Sequence, residues 1–182
     1  DVYKRQAASC ATVIDAGTIA QRRGSLQYDD EGTPTQKNML IENGIFSNFL
    51  YHVESARKEN RNSTGHAVRR YSGGVNTQSH NIVWPKGDLS LDQLCSQNKK
   101  CLLVTQLEGQ AGCNPISGDI SIGVQGFLVE NGIRIQPVDS ITLAGNFFDV
   151  LLNINGSGNI YQPELTYCFI PALLISGLSI SG

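Results

Sequence analysis

Short apolar runs broken by glycine, asparagine and small charged clusters dominate the chain, a rhythm of strands joined by tight turns. Ala11-Thr12-Val13-Ile14-Asp15 reads as a strand, followed by a turn-rich stretch from Ala16 to Thr35. Met39-Leu40-Ile41-Glu42 and Ile45 to Leu50 flank Asn43-Gly44. Asn and Gly accept positive φ, so this is a hairpin with a type I′ turn. Tyr51 to Asn60 contains helix formers without Gly or Pro and predicts a short helix. Ser63 to Gly74 reads as loop, and Asn81 to Trp84 as a strand stopped by Pro85.

The second half repeats the rhythm. Asp88 or Ser90 can cap a helix over Leu91 to Cys95, and Cys101 to Leu107 is an apolar strand. Gly109 to Gly118 reads as loop, turning at Asn114-Pro115. From Asp119 the pattern alternates: Ile120, Ile122 and Val124 share one face, with Ser121, Gly123 and Gln125 on the other. A second Asn131-Gly132 turn joins Phe127–Glu130 to Ile133–Val138. Gly145 to Asn153 predicts a helix, and strands around Leu165–Ile175 and Leu178–Ile180 close the chain. The fold class expected is α+β, a mainly antiparallel sheet or barrel-like domain with two or three short helices.

The two turn segments, Leu40-Ile41-Glu42-Asn43-Gly44-Ile45 and Leu128-Val129-Glu130-Asn131-Gly132-Ile133, are near copies. Duplication and convergence on a common turn solution explain six residues equally well.

With 182 residues the chain makes one generous domain or two small ones, and 16% charge with 40% apolar residues lies outside the range of disorder. A net charge of −2 gives no general attraction for nucleic acid or anionic membrane. The five cysteines, Cys10, Cys95, Cys101, Cys113 and Cys168, are odd in number and lack C-x-x-C spacing, as expected of thiols in the cytoplasm. Cys101 and Cys168, in apolar strands, are expected to be buried and inert. No run of about eighteen apolar residues spans a membrane. Asp1 to Gln6 resembles a translated adapter remnant, so residues 1–6 are set aside as non-native and the fold is read from residues 7–182.

No chemistry announces itself. The chain has no G-x-S-x-G elbow, and Ser157, between Gly156 and Gly158, reads as a loop residue. His52, His66 and His80 share no helical face at i, i+4 spacing, so one helical turn cannot supply two metal ligands. His66, in Ser63-Thr64-Gly65-His66-Ala67, is the best candidate for function, against the duller task of hydrogen-bonding its own loop. Asp29-Asp30-Glu31 departs from the calcium-loop spacing and reads as a solvated turn. Arg57, Lys58, Arg61, Arg69 and Arg70 cluster, but no nucleic-acid-binding signature frames them, so they read as surface charge.

Several segments in succession resemble the TldD/PmbA family. They are Asp29-Asp30-Glu31-Gly32-Thr33-Pro34-Thr35-Gln36, Leu40 to Gly44, Ser55-Ala56-Arg57-Lys58, Ser63 to Ala67, Asn114-Pro115-Ile116-Ser117-Gly118-Asp119, Gly126 to Gly132 and Pro171 to Ile175. The resemblance runs in order from about residue 11 to residue 182 and implies a cytoplasmic peptidase complex of two related subunits. The TldD type is similar to a zinc peptidase with an upstream H-E-x-x-x-H helix and a late cysteine ligand. The PmbA type, also called TldE, lacks that set.

Ser55–Lys58, Ser63–Ala67 and Asn114–Asp119 are similar to the PmbA type, whereas Arg22-Arg23-Gly24-Ser25 leans toward TldD. The interval Asn159–Thr166 carries no cysteine, and Cys168 lies only three residues before Pro171, so the late ligand role is not carried onto it. The resemblance thus implies the carboxy-terminal domain of a PmbA/TldE-like component, with an upstream domain missing. It implies no catalytic or metal-ligating residue here, no cofactor in these residues, and zinc in the partner or the full complex. The expected partner is a TldD-like subunit or a second copy, the substrate an extended peptide, with no nucleic acid and no membrane. The alternative is the end of a TldD-like zinc metallopeptidase whose motif lies upstream. Residues 1–182 alone are expected not to hydrolyse peptides. Ser63, Thr64, Gly65 and His66, with Asn43 and Gly44 and Asn131 and Gly132 at the two hairpins, are the candidate peptide- or partner-binding residues, the hairpins through open sheet edges.

Overall fold

The computed structural model describes residues 6–109, 112–161 and 167–182. In chain order the elements begin with β1 (Val13–Ala16), β2 (Lys37–Glu42), β3 (Ile45–Phe46), α1 (Val53–Lys58), β4 (Ala67–Arg69), β5 (Val75–Thr77) and β6 (Ile82–Val83). There follow α2 (Leu91–Ser96), β7 (Lys100–Glu108), β8 (Asp119–Glu130), β9 (Ile133–Asn146) and α3 (Phe147–Leu152). The chain closes with β10 (Ile154–Tyr161), β11 (Cys168–Phe169), β12 (Pro171–Ile175) and β13 (Ser179–Ser181). The described sheets are open, with strand orders that do not close into a barrel, and the three helices are short, so the α+β class holds. No described helix is long and apolar enough to cross a membrane.

The chain divides into two compact units. The first takes residues 11–85 with the described part of 162–170, and its main sheet runs β11-β6-β1-β2-β3. Asn43 and Gly44 have φ of 50° and 81°, the type I′ geometry that only small or amide side chains adopt readily. This pairs Glu42 with Ile45 and sets Phe46 opposite Ile41 in the edge strand. β6 and β11 pair in parallel through Ile82 N–H to Tyr167 O (2.8 Å) and Trp84 N–H to Phe169 O (2.9 Å). Ile14, Ala16, Ala56, Ala67, Trp84 and Phe169 form a small apolar core, in which a fully buried aromatic ring contributes about 1.5–3 kcal/mol.

The second unit holds residues 86–161 and 171–182 with the described start of the chain, in sheets β13-β9-β8-β7 and β10-β12. β8 pairs along its length with β9 and over most of it with β7. Val124 is wholly buried, Ile120 and Ile122 half-buried and Ser121 exposed, as the alternation requires, while Val129 on the opposite face is buried as well. Helix α2 starts at a capping box: Gln93 N–H donates to Ser90 Oγ (3.2 Å) and Ser90 N–H to Gln93 Oε1 (2.8 Å).

Five expectations change. Ser63–Gly74 is not all loop, because β4 lies inside it and pairs antiparallel with β5. Ser157 is not a loop residue either: it lies in β10 and pairs with Leu173 of β12. A Cβ on Gly156 would come within 3.1 Å of Leu94 Cδ2, so the glycine lets this strand pass close to α2. Helix α3 begins at Phe147, since Gly145 and Asn146 still pair with Ile120 and Asp119. Cys168 is exposed and Cys101 half-buried, each in the edge strand of its sheet; the buried thiol is Cys95. Asp29 is buried, as described below. Residues 1–5 of the segment 1–6 set aside as non-native, and the start of the Leu165 strand, lie outside the described residues.

Candidate functional site

The densest set of polar side chains lies inside the first unit, where β1, β6 and the strap Ser63–His66 meet. Asp15 sits in an otherwise apolar strand and is wholly buried. One of its oxygens receives His66 Nε2 at 3.1 Å, and the other accepts His80 N–H at 2.9 Å. His66 is 1% exposed, and its Nδ1 lies 2.9 Å from Thr64 Oγ1. His80 Nε2 is 2.7 Å from the Gly65 carbonyl, which only accepts, so this nitrogen carries the proton. The two imidazoles lie 4.6 Å apart between centroids. Asn81, also wholly buried, donates to Ala16 O (2.7 Å) and Ser25 Oγ (3.0 Å) and accepts Gly24 N–H (3.2 Å).

The strap itself is built to reach this centre. Ser63 Oγ donates to Tyr51 O at 3.2 Å and accepts Gly65 N–H at 3.2 Å. Thr64 Oγ1 accepts Tyr51 N–H at 2.7 Å and lies 3.1 Å from Tyr51 O. Gly65 has φ +74°, and a Cβ there would meet the Pro34 carbonyl at 2.5 Å, so no other residue fits without displacing backbone.

The acidic run has the same role. Asp29 accepts the amides of Thr33 (2.9 Å), Glu31 (3.0 Å) and Ala67 (2.9 Å); Asp30 accepts Arg69 N–H (2.7 Å) and Glu31 accepts Val53 N–H (2.8 Å). Each carboxylate thus fastens a different backbone amide, including those of β4 and the start of α1, and the expectation of a solvated turn fails at Asp29. These charge-assisted bonds are the strong kind.

Thr64, His66 and Asp15 formally repeat the hydroxyl–imidazole–carboxylate order of a hydrolase. Their setting differs in kind. The His66 and Asp15 side chains have no exposed surface, and the Thr64 hydroxyl already has Tyr51 on its donor and acceptor sides. The arrangement orders backbone and offers no nucleophile to a substrate. The residues also do not fit zinc: both His66 nitrogens and His80 Nε2 are engaged, and no group of three His, Cys, Asp or Glu among the described residues is placed to hold an ion.

Beside this centre a surface cavity of about 620 Å³ is lined by Gly17–Arg22, Ser25–Tyr28, Pro34 and Thr35. Arg22 stacks on Phe169, its Cζ 4.4 Å from the ring centroid. At the sheet edge Phe46 and Phe49 meet edge to face at 4.7 Å, and Phe49 and Ile45 are largely exposed. In the second unit, Ile133–Pro137 of β9 is exposed and has β8 on one side only, since β13 covers β9 at Thr142–Ala144. In the basic stretch, Lys58 pairs with Glu54 at 2.7 Å, and this hydrogen bond holds the Glu54 carboxyl below its usual range.

The geometry brings Ser63, Thr64, Gly65 and His66 together in the strap and leaves Asn43, Gly44, Asn131 and Gly132 at separate hairpin tips. Sequence reasoning missed Asp15, His80 and Asn81; a lone aspartate inside the apolar run Val13–Ala16 was the signal available.

The match to known proteins is consistent along the chain. The model for the PmbA/TldA metallopeptidase C-terminal domain matches residues 2–182. The chain belongs to the TldD/PmbA family. It is 41% identical over 148 residues to the metalloprotease PmbA of Escherichia coli O157:H7, covering 81% of this chain and 31% of that protein. A TldD homolog of Buchnera aphidicola subsp. Acyrthosiphon pisum is 33% identical over 160 residues, covering 87% and 33%. The solved TldE of Thermococcus kodakarensis superposes with a TM-score of 0.86 at 28% identity, covering 99% of this chain and 41% of that one. A Thermotoga maritima structure described as a DNA gyrase modulator gives 0.88 at 30% identity, covering 98% and 41%. The chain therefore spans about a third of the length of the curated TldD/PmbA relatives it matches.

Proposed function

We propose that this chain is the carboxy-terminal domain of a PmbA/TldE-type component that ligates no metal itself and supports proteolysis of extended peptides by a TldD-type partner. The observation that carries the reading is the engagement of the donor set: Asp15, His66 and His80, the groups best suited to grip an ion, are bound to one another and to backbone. The zinc of the family then belongs to the partner or to the complete complex, where it would supply Lewis-acid chemistry. A cytoplasmic setting accords with five cysteines, none of them in a disulfide.

Peptide contact is assigned to the two open edges. Because Glu42 and Ile45 face each other across the turn, the Phe46 N–H and C=O point away from β2, flanked by exposed Ile45 and Phe49. Unpaired edge groups of this kind accept an added strand. Calorimetric titration of the whole complex with an unfolded peptide, repeated with Phe46→Pro and Arg134→Pro, tests the assignment. Proline removes an outward N–H while leaving the hairpin ladder bonds in place. Unchanged affinity in both variants refutes the edge role.

The second reading, a TldD-type zinc peptidase, is favoured by the stretch Arg22-Arg23-Gly24-Ser25, which leans toward that type, and by the match to a Buchnera TldD homolog. Metal analysis of the whole protein, with a search of its coding sequence for H-E-x-x-x-H, separates the two.

A further inference from the structure

The two near-identical turns differ in one atom's surroundings. Each reads Glu-Asn-Gly-Ile, and each Asn has φ of 50° with its Gly at 81°. Both Asn residues are exposed, and both backbone amides are anchored, Asn43 N–H to Thr12 Oγ1 (3.4 Å) and Asn131 N–H to Lys99 O (2.9 Å). The glycine amides part company. Gly44 is buried and its N–H donates to Ala11 O at 2.9 Å, whereas Gly132 is half-exposed and its N–H has no partner among the described residues.

We propose that Asn131-Gly132 is a site of spontaneous isoaspartate formation and that Asn43-Gly44 is protected from it. The Gly132 backbone nitrogen gives up its proton and bonds to Asn131 Cγ. The bond from Cγ to the side-chain nitrogen breaks and ammonia leaves, closing a five-membered succinimide. Water then opens the ring. Attack at the Cγ carbonyl yields aspartate, and attack at the main-chain carbonyl yields isoaspartate, with the chain rerouted through Cβ. Overall one water is consumed and one ammonia released, with no redox partner. At Asn43 the same path requires breaking the Gly44–Ala11 hydrogen bond and exposing a buried amide. The side chain of a third pair, Asn155-Gly156, is held in β10 by Asn153 O (3.1 Å) and Ser176 Oγ (2.9 Å) and is protected likewise.

The product places a new carboxylate beside Glu130, in a turn whose Gly132 packs against Ser96 of α2. Such a turn is a substrate for carboxyl methylation by an isoaspartyl methyltransferase using S-adenosylmethionine.

The identical flanking residues make the chain its own control. The protein is incubated at mildly alkaline pH, folded and in guanidinium. Digestion and mass spectrometry then follow the amide-to-acid mass gain in each peptide, and methyltransferase labelling counts isoaspartate. In denaturant Asn43 and Asn131 convert at matching rates. In the folded protein Asn131 converts roughly fivefold or more faster than Asn43. Equal native rates, a faster Asn43, or no native conversion at either while the denatured chain converts both overturns the proposal. Gly132→Ala slows the Asn131 reaction in both states, and a variant that leaves the unfolded rate unchanged also counts against it.

Discussion

The two units of this chain are held together by different means. The first is small in apolar core and rich in buried polar groups: Asp15, Asp29, Thr35, His66, His80 and Asn81 all lie inside it. The second relies on long paired strands, with Val124, Val129 and Ile154 of the strands and Leu94 of α2 buried, and none of the buried polar side chains among the described residues lies in it. The difference follows from loop content. Long strands satisfy their own backbone, while the turns between β1 and β2 and the strap before β4 have amides that must find side-chain acceptors. The carboxylates of Asp15, Asp29, Asp30 and Glu31 are those acceptors, while the His80 ring donates to a backbone carbonyl.

The contrast makes ordered predictions for denaturant unfolding. Asp15→Asn keeps one acceptor oxygen but sets an NH2 group where either the His66 ring or the His80 N–H now finds the second, and is expected to cost about 3–5 kcal/mol, the range for breaking a buried pair. Hydrogen exchange should show the loss in the first unit; a change under about 1 kcal/mol would break the contrast at its strongest point. Val124→Ala, in the second unit, is expected to cost about 2 kcal/mol from lost burial and the cavity left behind. A larger loss there than for Asp15→Asn would reverse the ranking. Ser90→Ala removes the cap of α2 and is expected to cost about 1 kcal/mol.

The smallest effect is kinetic. Burial raises the Cys95 thiol above its usual range, with the neighbouring Cys101 adding to it. Its neutral form is therefore favoured in the folded state, and this contribution fades as pH rises through the raised value. Alkylation at neutral pH should modify exposed Cys10, Cys113 and Cys168 well before Cys95; early labelling of Cys95 would contradict its burial.

How much of this was legible beforehand divides along the same line. The Asn43-Gly44 and Asn131-Gly132 hairpins and the capped start of α2 are written within four residues each, so local rules find them. β10 was missed because Ile154–Tyr161 is glycine-rich, and only pairing with β12 and the close passage of Leu94 make it a strand. The polar centre was invisible for a topological reason. Asp15 lies 51 positions from His66 and 65 from His80, and no spacing rule joins residues that meet only through strand order. His66 stands out in its own sequence, but neighbours that no local rule names, Asp15 first among them, decide its role.

The role of this centre depends on whether its imidazoles are already fully engaged. Histidine ring-nitrogen NMR of the folded chain, recorded while zinc is added, reads this directly. The account predicts that His66 and His80 keep their resonances through a stoichiometric addition. Zinc-dependent shifts of His66 at one equivalent, abolished by Asp15→Asn, would show a metal centre where this structure places a fastening.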